Sequence, residues 1–185
     1  MNYDEYTCFA ASRQGRVLTL TMNKPDTLNA VNKAMHDELG TIFYDVQLDD
    51  ETDVIVLTGA GRAFSAGGDL AMMKRIADGS DEPMLRLVDA KRIIYSLLDL
   101  EKPIIAAVNG HAIGGGLEMV LACDLAIAVP NAKFGLPEVR VGLAASGGLH
   151  RLARQLPMKH ATEIALSGQL FSAEKALEYG LVNRV

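Results

Sequence analysis

Clustered glycines and two isolated glutamates are the residues of this chain whose types and spacing suit chemistry. One loop reads Gly59-Ala60-Gly61-Arg62-Ala63-Phe64-Ser65-Ala66-Gly67-Gly68-Asp69-Leu70. A second reads Asn109-Gly110-His111-Ala112-Ile113-Gly114-Gly115-Gly116-Leu117-Glu118. Neither is a phosphate-binding P-loop, because no Lys-Ser/Thr follows the glycines. Neither is a dinucleotide fingerprint, because Phe64 stands where the third glycine would be. Ala63-Phe64-Ser65-Ala66-Gly67 comes near a nucleophile elbow, yet Ser65 lies well past the end of the preceding strand. A serine hydrolase built on Ser65 would also need a histidine partner. What remains is a backbone device. Glycines bring main-chain N–H groups close to a ligand, and Gly114 to Gly116 open a helix, whose free N–H groups favour negative charge. Two such loops can aim one N–H each at a single oxygen, as an oxyanion hole does. The same glycines also suit tight turns and close helix–strand packing, and the pattern alone leaves both readings open.

The acids add to the first reading. Glu118 sits one turn into the glycine-capped helix, beside Leu117, Met119, Val120 and Leu121. Glu138 follows Phe134-Gly135-Leu136-Pro137 and precedes Val139. One such glutamate reads most simply as a salt-bridged or capping residue. Two of them, each beside a Gly- or Pro-fixed turn, suggest acid–base chemistry on a substrate held at the oxyanion site.

The elements that must position these groups alternate between short β-branched runs and longer helical segments. Val17 to Met22 reads as a strand, preceded by a pairing strand near Thr7 to Ala11. Asn32 caps a helix with Met35, Leu39, Ile42, Phe43 and Val46 at helical spacing. Val54 to Thr58 is nearly all apolar, as a strand covered on both faces is. Asp81-Glu82-Pro83 opens a helix from Met84 to Leu100, which Pro103 stops. Ile104 to Val108 and Leu125 to Val129 are further strands, Lys133 to Gly135 is a short extended piece, and the glycine triplet leads a helix through Cys123. From Leu149 the chain reads as helical in three pieces, divided at Pro157 and Ser167-Gly168, with Ser172 capping the last and Gly180 ending it. Strand, crossover helix and strand in this order imply parallel strands with right-handed crossovers. Ala77 to Pro83 is the segment expected to be flexible.

At 185 residues and 19.9 kDa, with 49% hydrophobic and 22% charged residues, the chain reads as one α/β domain over 1–185. With 18 basic and 23 acidic residues the net charge is −5, which argues against a non-specific nucleic-acid binder. Cys8 and Cys123 form no CxxC, so neither a disulfide framework nor a metal knuckle is indicated. The N-terminal residues show no basic region leading into an apolar run. Apolar stretches such as Ile104 to Val108 are far shorter than the ~20 residues of a membrane helix. A soluble cytoplasmic protein with reduced thiols is expected.

The run Ile105-Ala106-Ala107-Val108-Asn109-Gly110-His111-Ala112-Ile113-Gly114-Gly115-Gly116-Leu117-Glu118, closing with Ala122-Cys123-Asp124-Leu125, resembles the signature of the enoyl-CoA hydratase/isomerase (crotonase) superfamily. Further pieces follow in the family's order: Met22-Asn23-Lys24-Pro25 with Leu28-Asn29-Ala30, Ala63 to Leu70, Phe134 to Glu138, Gly147-Gly148 with Arg151-Leu152, and Ala173 to Ala176 with Gly180-Leu181-Val182. The resemblance implies a crotonase-like spiral of ββα units, with the region from about 149 to 185 starting a C-terminal helical part that is cut short here. It implies an acyl-CoA substrate, coenzyme A being part of that substrate, with no separate cofactor and no metal. The thioester oxygen would lie between the N–H groups of Gly68 and Gly115. Substrate or CoA contacts would come from Lys24, Leu28, Ala66, Gly67, Asp69, Leu70 and Gly114, the Ala66 carbonyl meeting the adenine. Glu118 and Glu138 fill both positions that hydratases of the family use. The implied reaction is reversible syn addition of water to a trans-2-enoyl-CoA, giving a 3-hydroxyacyl-CoA. Within the family the alternatives are a Δ3,Δ2-enoyl-CoA isomerase working through Glu138 alone and a crotonobetainyl-CoA (carnitinyl-CoA) hydratase, whose wording Leu136-Pro137-Glu138-Val139 resembles. A non-catalytic acyl-CoA-binding protein of the same fold is a further alternative. Members of the family run on past Val185 into helices that help form a homotrimer or a dimer of trimers.

Several residues have plainer readings. Asp69 suits a loop or capping role and Asp124 a hydrogen bonder at a helix end or a strand entry. Cys123 suits a small buried apolar site, and His150 and His160 the surface. Met72 and Met73 fit an acyl pocket or helix packing equally. Arg62, Lys74 and Arg75 fit CoA phosphates or solvent.

Overall fold

The computed structural model describes residues 1–80, 92–145 and 147–185. Strand β1 (Phe9–Gln14) turns through Gly15, at φ 58°, into antiparallel β2 (Val17–Met22). Asn32 then caps α1 (Lys33–Gln47), its side-chain oxygen accepting the Met35 N–H at 3.0 Å. Next come β3 (Val54–Gly59), β4 (Ala63–Ser65) and α2 (Leu70–Ala77). A helix over 92–98, α3, precedes β5 (Ile104–Val108), β6 (His111–Ile113) and α4 (Gly115–Ala122). The pattern repeats as β7 (Leu125–Ala128), β8 (Lys133–Gly135), a 3-10 turn over Pro137–Val141, and α5 (Leu149–Gln155). Helix α6 (Met158–Ser167), strand β9 (Phe171–Ser172) and α7 (Ala173–Glu178) complete the chain.

Two sheets result. The larger has order β1-β2-β3-β5-β7, parallel from β2 onward. The smaller has order β4-β6-β8-β9, in which only β9 is antiparallel to its neighbour. The units β3-β4-α2, β5-β6-α4 and β7-β8-α5 thus each give their first strand to the larger sheet and their second to the smaller, while β1 and β2 both belong to the larger. This is the α/β spiral of ββα units expected from the resemblance.

One face of the larger sheet is dry. Leu18, Leu20, Met22, Ile55, Leu57, Ile104, Ala106 and Val108 are buried together with Met35, Leu39, Ile42, Phe43 and Val46 of α1. Each such large side chain contributes roughly 1.5–3 kcal/mol on burial. The opposite face is wetter than an all-apolar run suggests. Along β3 buried residues alternate with half-buried ones, and Leu125 and Ile127 on β7 are exposed. The run Val54 to Thr58 is therefore not covered on both faces among the described residues.

Other differences are of extent. The first strand is Phe9–Gln14 rather than Thr7 to Ala11, and the glycine-rich loops contain the three-residue strands β4 and β6. Such short strands are too brief to show a period. Of the helix expected over 84–100, the part at 92–98 is helical, and its start lies outside the described residues, as do residues 81–83 of the segment Ala77 to Pro83. Gly168 ends α6 at φ 58° and Ser172 caps α7, accepting the Lys175 N–H at 3.3 Å.

Candidate active site

The two glycine-rich loops meet because β4 and β6 are parallel neighbours in the smaller sheet. Their approach leaves no room for side chains. A Cβ on Gly67, which holds φ 83°, would lie 2.5 Å from the Ile113 carbonyl oxygen and 2.9 Å from the Gly115 nitrogen. A Cβ on Gly116 would run into the Ser65 carbonyl. Gly115 opens α4 and its Cβ position is only 3.9 Å from the Gly68 nitrogen. Among the described residues, neither the Gly68 nor the Gly115 N–H donates to a backbone acceptor, whereas the Glu118 N–H bonds the Gly114 carbonyl at 3.0 Å. Two free donors, from a loop and from a helix N-terminus, thus stand side by side.

Two asparagines staple the first loop. Buried Asn29 donates to the carbonyls of Ala60 at 3.0 Å and Ala63 at 2.9 Å, and accepts the Lys24 N–H at 2.9 Å. Asn109 accepts the Gly59 N–H at 3.1 Å and donates to the Gly61 carbonyl at 3.0 Å. The sequence holds a signal for both, since Asn satisfies turns through its own amide. The loop is also tied to the start of α1: the Val31 N–H donates to Gly67 at 2.7 Å, and the Asp69 N–H to Val31 at 3.2 Å.

Glu118 and Glu138 face the same cavity of about 250 Å³, which Gly68 and Gly115 also line. Glu118 reaches it from the first turn of α4, Glu138 from the 3-10 turn begun by Pro137. Both are half-buried. Loss of solvent pushes the Glu118 carboxyl above its ordinary range, opposed by N–H donors from Gly148, at 2.7 Å, and Gly147. Burial likewise raises Glu138, and the nearby Glu118 charge raises it further. Glu138 Oε2 is buried without a partner among the described residues. One carboxylate is therefore clamped as an acceptor, while the other retains a vacant oxygen. Gly147 and Gly148 are glycines for this reason, since a Cβ at either would lie within about 3 Å of the Glu118 side chain (2.9 and 3.0 Å). The sequence shows the pair but not what it holds.

The residues expected to contact CoA lie outside this cavity, around the first loop. Lys24 and Leu28 bracket a 3-10 turn over Pro25–Thr27, and the Leu28 carbonyl accepts the Ala66 N–H at 2.9 Å. Asp69 caps α2, accepting the Met72 N–H at 2.7 Å, so its carboxylate is already engaged. Leu70 is 75% exposed, and Gly114 turns into α4 at φ 57°. Met73 lines the cavity while Met72 is buried in packing.

Ser65 does not stand as a nucleophile. It is fully buried, donates to the Asn29 carbonyl at 2.8 Å and accepts the Gly67 N–H at 3.1 Å. Cys123 is buried, and desolvation pushes its thiol up to about 12. Asp124 accepts the Ile104 N–H at 2.9 Å, at the start of β5. His150 is exposed, but His160 is half-buried and stacks on Tyr179 at 4.0 Å, so only the first is a surface residue. The spacing of α6 and α7 carries no sign of that contact.

A fold of ββα units with paired N–H donors and paired carboxylates defines a class, and comparison with known proteins agrees. The family Enoyl-CoA hydratase/isomerase matches residues 12–185. The chain is 39% identical over 177 residues to the short-chain-enoyl-CoA hydratase of Clostridium acetobutylicum, covering 94% of this chain. It is 42% identical over 171 residues to the (E)-benzylidenesuccinyl-CoA hydratase of Thauera aromatica, covering 91%. It spans 66% of the length of each of these relatives. An enoyl-CoA hydratase/isomerase structure from Mycobacterium paratuberculosis superposes with a TM-score of 0.93 at 35% identity, over 99% of this chain and 74% of that one. The chain belongs to the enoyl-CoA hydratase/isomerase family.

Proposed function

We propose that the complete protein is an enoyl-CoA hydratase that reversibly adds water to a trans-2-enoyl-CoA. The observation that carries this reading is the meeting of Glu118, Glu138 and the N–H groups of Gly68 and Gly115 at one cavity. In hydration, the thioester oxygen gains negative charge as water attacks Cβ. The N–H groups of Gly68 and Gly115 would stabilise it, one such donor typically contributing ~3 kcal/mol. Glu118, oriented by the Gly147 and Gly148 N–H groups, takes a proton from the water as its oxygen bonds to Cβ. Glu138 delivers a proton to Cα on the same face. In the reverse direction each proton retraces its path. Because the two carboxyls interact, their titration belongs to the pair.

Lys24, Leu28, Ala66, Gly67, Asp69, Leu70 and Gly114 would hold the CoA portion, mostly through backbone groups. No separate cofactor or metal is required by this chemistry. A cytoplasmic enzyme of fatty acid metabolism, assembled as a homotrimer or a dimer of trimers, fits the family. The clamped Glu118 favours hydration over an isomerase working through Glu138 alone. Relatives named carnitinyl-CoA dehydratase, one from Escherichia coli at 38% identity, favour keeping carnitinyl-CoA in the substrate panel. Incubation with enoyl-CoA thioesters, following loss of the conjugated absorbance, tests the reading. Turnover of at least one of them supports it, and tight binding of esters with no turnover would favour a non-catalytic carrier.

A further inference from the structure

We propose that Asn29 is a positioning residue, which fixes the orientation of the Gly68 N–H and, through it, the polarisation of the bound thioester. The inference rests on the reading of Gly68 and Gly115 as the oxyanion donors of an acyl-CoA site. The Gly68 donor has little to hold it locally. Its peptide joins two glycines, whose backbones are the least restrained of all residues, and Gly67 holds φ 83°. The orientation of that plane must therefore be imposed by neighbours. The Val31 N–H donates to the Gly67 carbonyl at 2.7 Å, and the Ala66 N–H donates to the Leu28 carbonyl at 2.9 Å. A peptide is planar and trans, so its C=O and N–H point opposite ways. Holding the Gly67 carbonyl thus holds the Gly68 N–H, and any tilt of the one swings the other by the same angle.

Asn29 sets where those partners stand. Leu28, at φ 56°, and Asn29, at φ 54°, are the two non-glycine residues with left-handed backbone among the described residues. That conformation is unfavourable for a residue with a Cβ and persists where the surroundings impose it. The restraint here is the fully buried Asn29 amide. Its Oδ1 accepts the Lys24 N–H at 2.9 Å, while its Nδ2 donates to the carbonyls of Ala60 at 3.0 Å, Ala63 at 2.9 Å and Phe64 at 3.2 Å. The Asn29 N–H returns to the Lys24 carbonyl at 2.9 Å. One side chain therefore joins the left-handed turn to β4, the strand that leads into the Gly67–Gly68 peptide. On the far side Asn32 caps α1, so Val31 is held from both directions. Ser65 adds one further tie, to the Asn29 carbonyl at 2.8 Å. The Val31–Gly67 and Leu28–Ala66 bonds do not pass through its hydroxyl and outlast Ser65→Ala.

The test combines kinetics on the enoyl-CoA that turns over fastest with infrared spectroscopy of bound butyryl-CoA, isotopically labelled at the thioester carbonyl. Butyryl-CoA has no double bond to hydrate. In the wild type its carbonyl stretch should lie below the value in water, because two donors polarise it. Asn29→Gly tolerates the left-handed backbone and removes every bond of the side chain. It should return the stretch toward the value in water and lower kcat by roughly 10²-fold, the scale of a small misplacement at a catalytic site, with KM little changed. The stretch is a property of each bound molecule, so lost stability alone does not move it. Thermal unfolding checks the fold. If Asn29→Gly does not fold, Asn29→Asp decides: it keeps the acceptor for Lys24 but has no donor for the three carbonyls, and the same two changes are expected. A wild-type stretch retained in the folded variant, or a loss of kcat with no change in the stretch, would overturn the positioning role and leave the hydratase reading standing. An unshifted stretch in the wild type, or no binding of the ester, would overturn both.

Discussion

Glu118 and Glu138 differ in what surrounds them, and that difference assigns their tasks. Glu118 is half-buried and receives N–H donors from Gly147 and Gly148; Glu138, also half-buried, keeps a vacant oxygen. If both handle one water, Glu118→Gln and Glu138→Gln should each lower hydration by roughly 10²–10⁴-fold. The double variant should lose far less than the product of the two, because groups acting as a unit are non-additive. Near-normal hydration in Glu118→Gln would move the assignment to an isomerase using Glu138. The same raised pKa has a cost in stability. Between the ordinary carboxylate value and the raised one, the folded state holds a proton that the unfolded state has released, so stability falls as pH rises through that window. Glu138→Gln cannot ionise. It should melt at a higher temperature than the wild type at pH 8, with the gap closing below pH ~4, under the ordinary value. A gap that persists undiminished at low pH would show that the gain is not electrostatic.

At the scale of elements, the free donors come from where strands end and helices begin. Gly115 occupies the first helical position of α4, where proline is tolerated because its missing N–H has no helical partner. A Cβ there meets only ordinary contacts at 3.7 Å and beyond. Gly115→Pro should therefore keep the fold while lowering kcat by about 10²–10³-fold, the loss typical of one oxyanion donor. Kinetics paired with circular dichroism would check this, and unaltered kcat would remove Gly115 from the oxyanion site. Ser65→Ala works the other way. Its hydroxyl joins Asn29 to Gly67 in a buried place, so its loss should cost ~1–2 kcal/mol in denaturant unfolding. Turnover of the folded variant should stay within a few-fold of normal. A collapse of activity without loss of stability would revive a nucleophilic serine.

Over the whole molecule, a polar cluster joins parts distant in sequence. Asp49 is 1% exposed at its side chain, pairs with Arg13 at 2.6 Å, and accepts from Tyr3 at 2.8 Å and Thr52 at 2.9 Å. Burial alone would raise its carboxyl; the Arg13 ion pair and the Tyr3 and Thr52 hydrogen bonds outweigh burial and hold it well below the ordinary range. Its contribution is present above the ordinary carboxylate pKa and fades as pH falls toward the depressed one. Asp49→Ala strands partly buried Arg13 and should cost about 3 kcal/mol near neutral pH. That deficit should shrink in acid unfolding, and an equal deficit at pH 2 and pH 7 would deny the ion pair its role. Association belongs to this scale as well. A chain of 185 residues, 66% of the length of its relatives, should assemble less well than one extended to their full length. Sedimentation of both would show it, and identical assembly would mean that the extra length is not needed.

The sequence by itself determined the family, the order of the main strands and helices, and the two acids beside glycine-rich turns. It could do so because those features are local: a cap at Asn32, an apolar run at Val54, a glycine triplet before Glu118. Strands β4 and β6 escaped it, since three residues cannot display a period. Only the tertiary structure decided that Gly67 and Gly115 touch, that Gly147 and Gly148 clamp Glu118 from thirty residues away, and that His36 shares a wall with both glutamates. It also turned Ser65 from a possible nucleophile into a buried staple and placed His160 against Tyr179. Each of these depends on the pairing of β4 with β6 or on the packing of helices against the sheets. Such long-range contacts leave no mark on residue spacing, because they are set by which backbones come close enough to exclude a side chain.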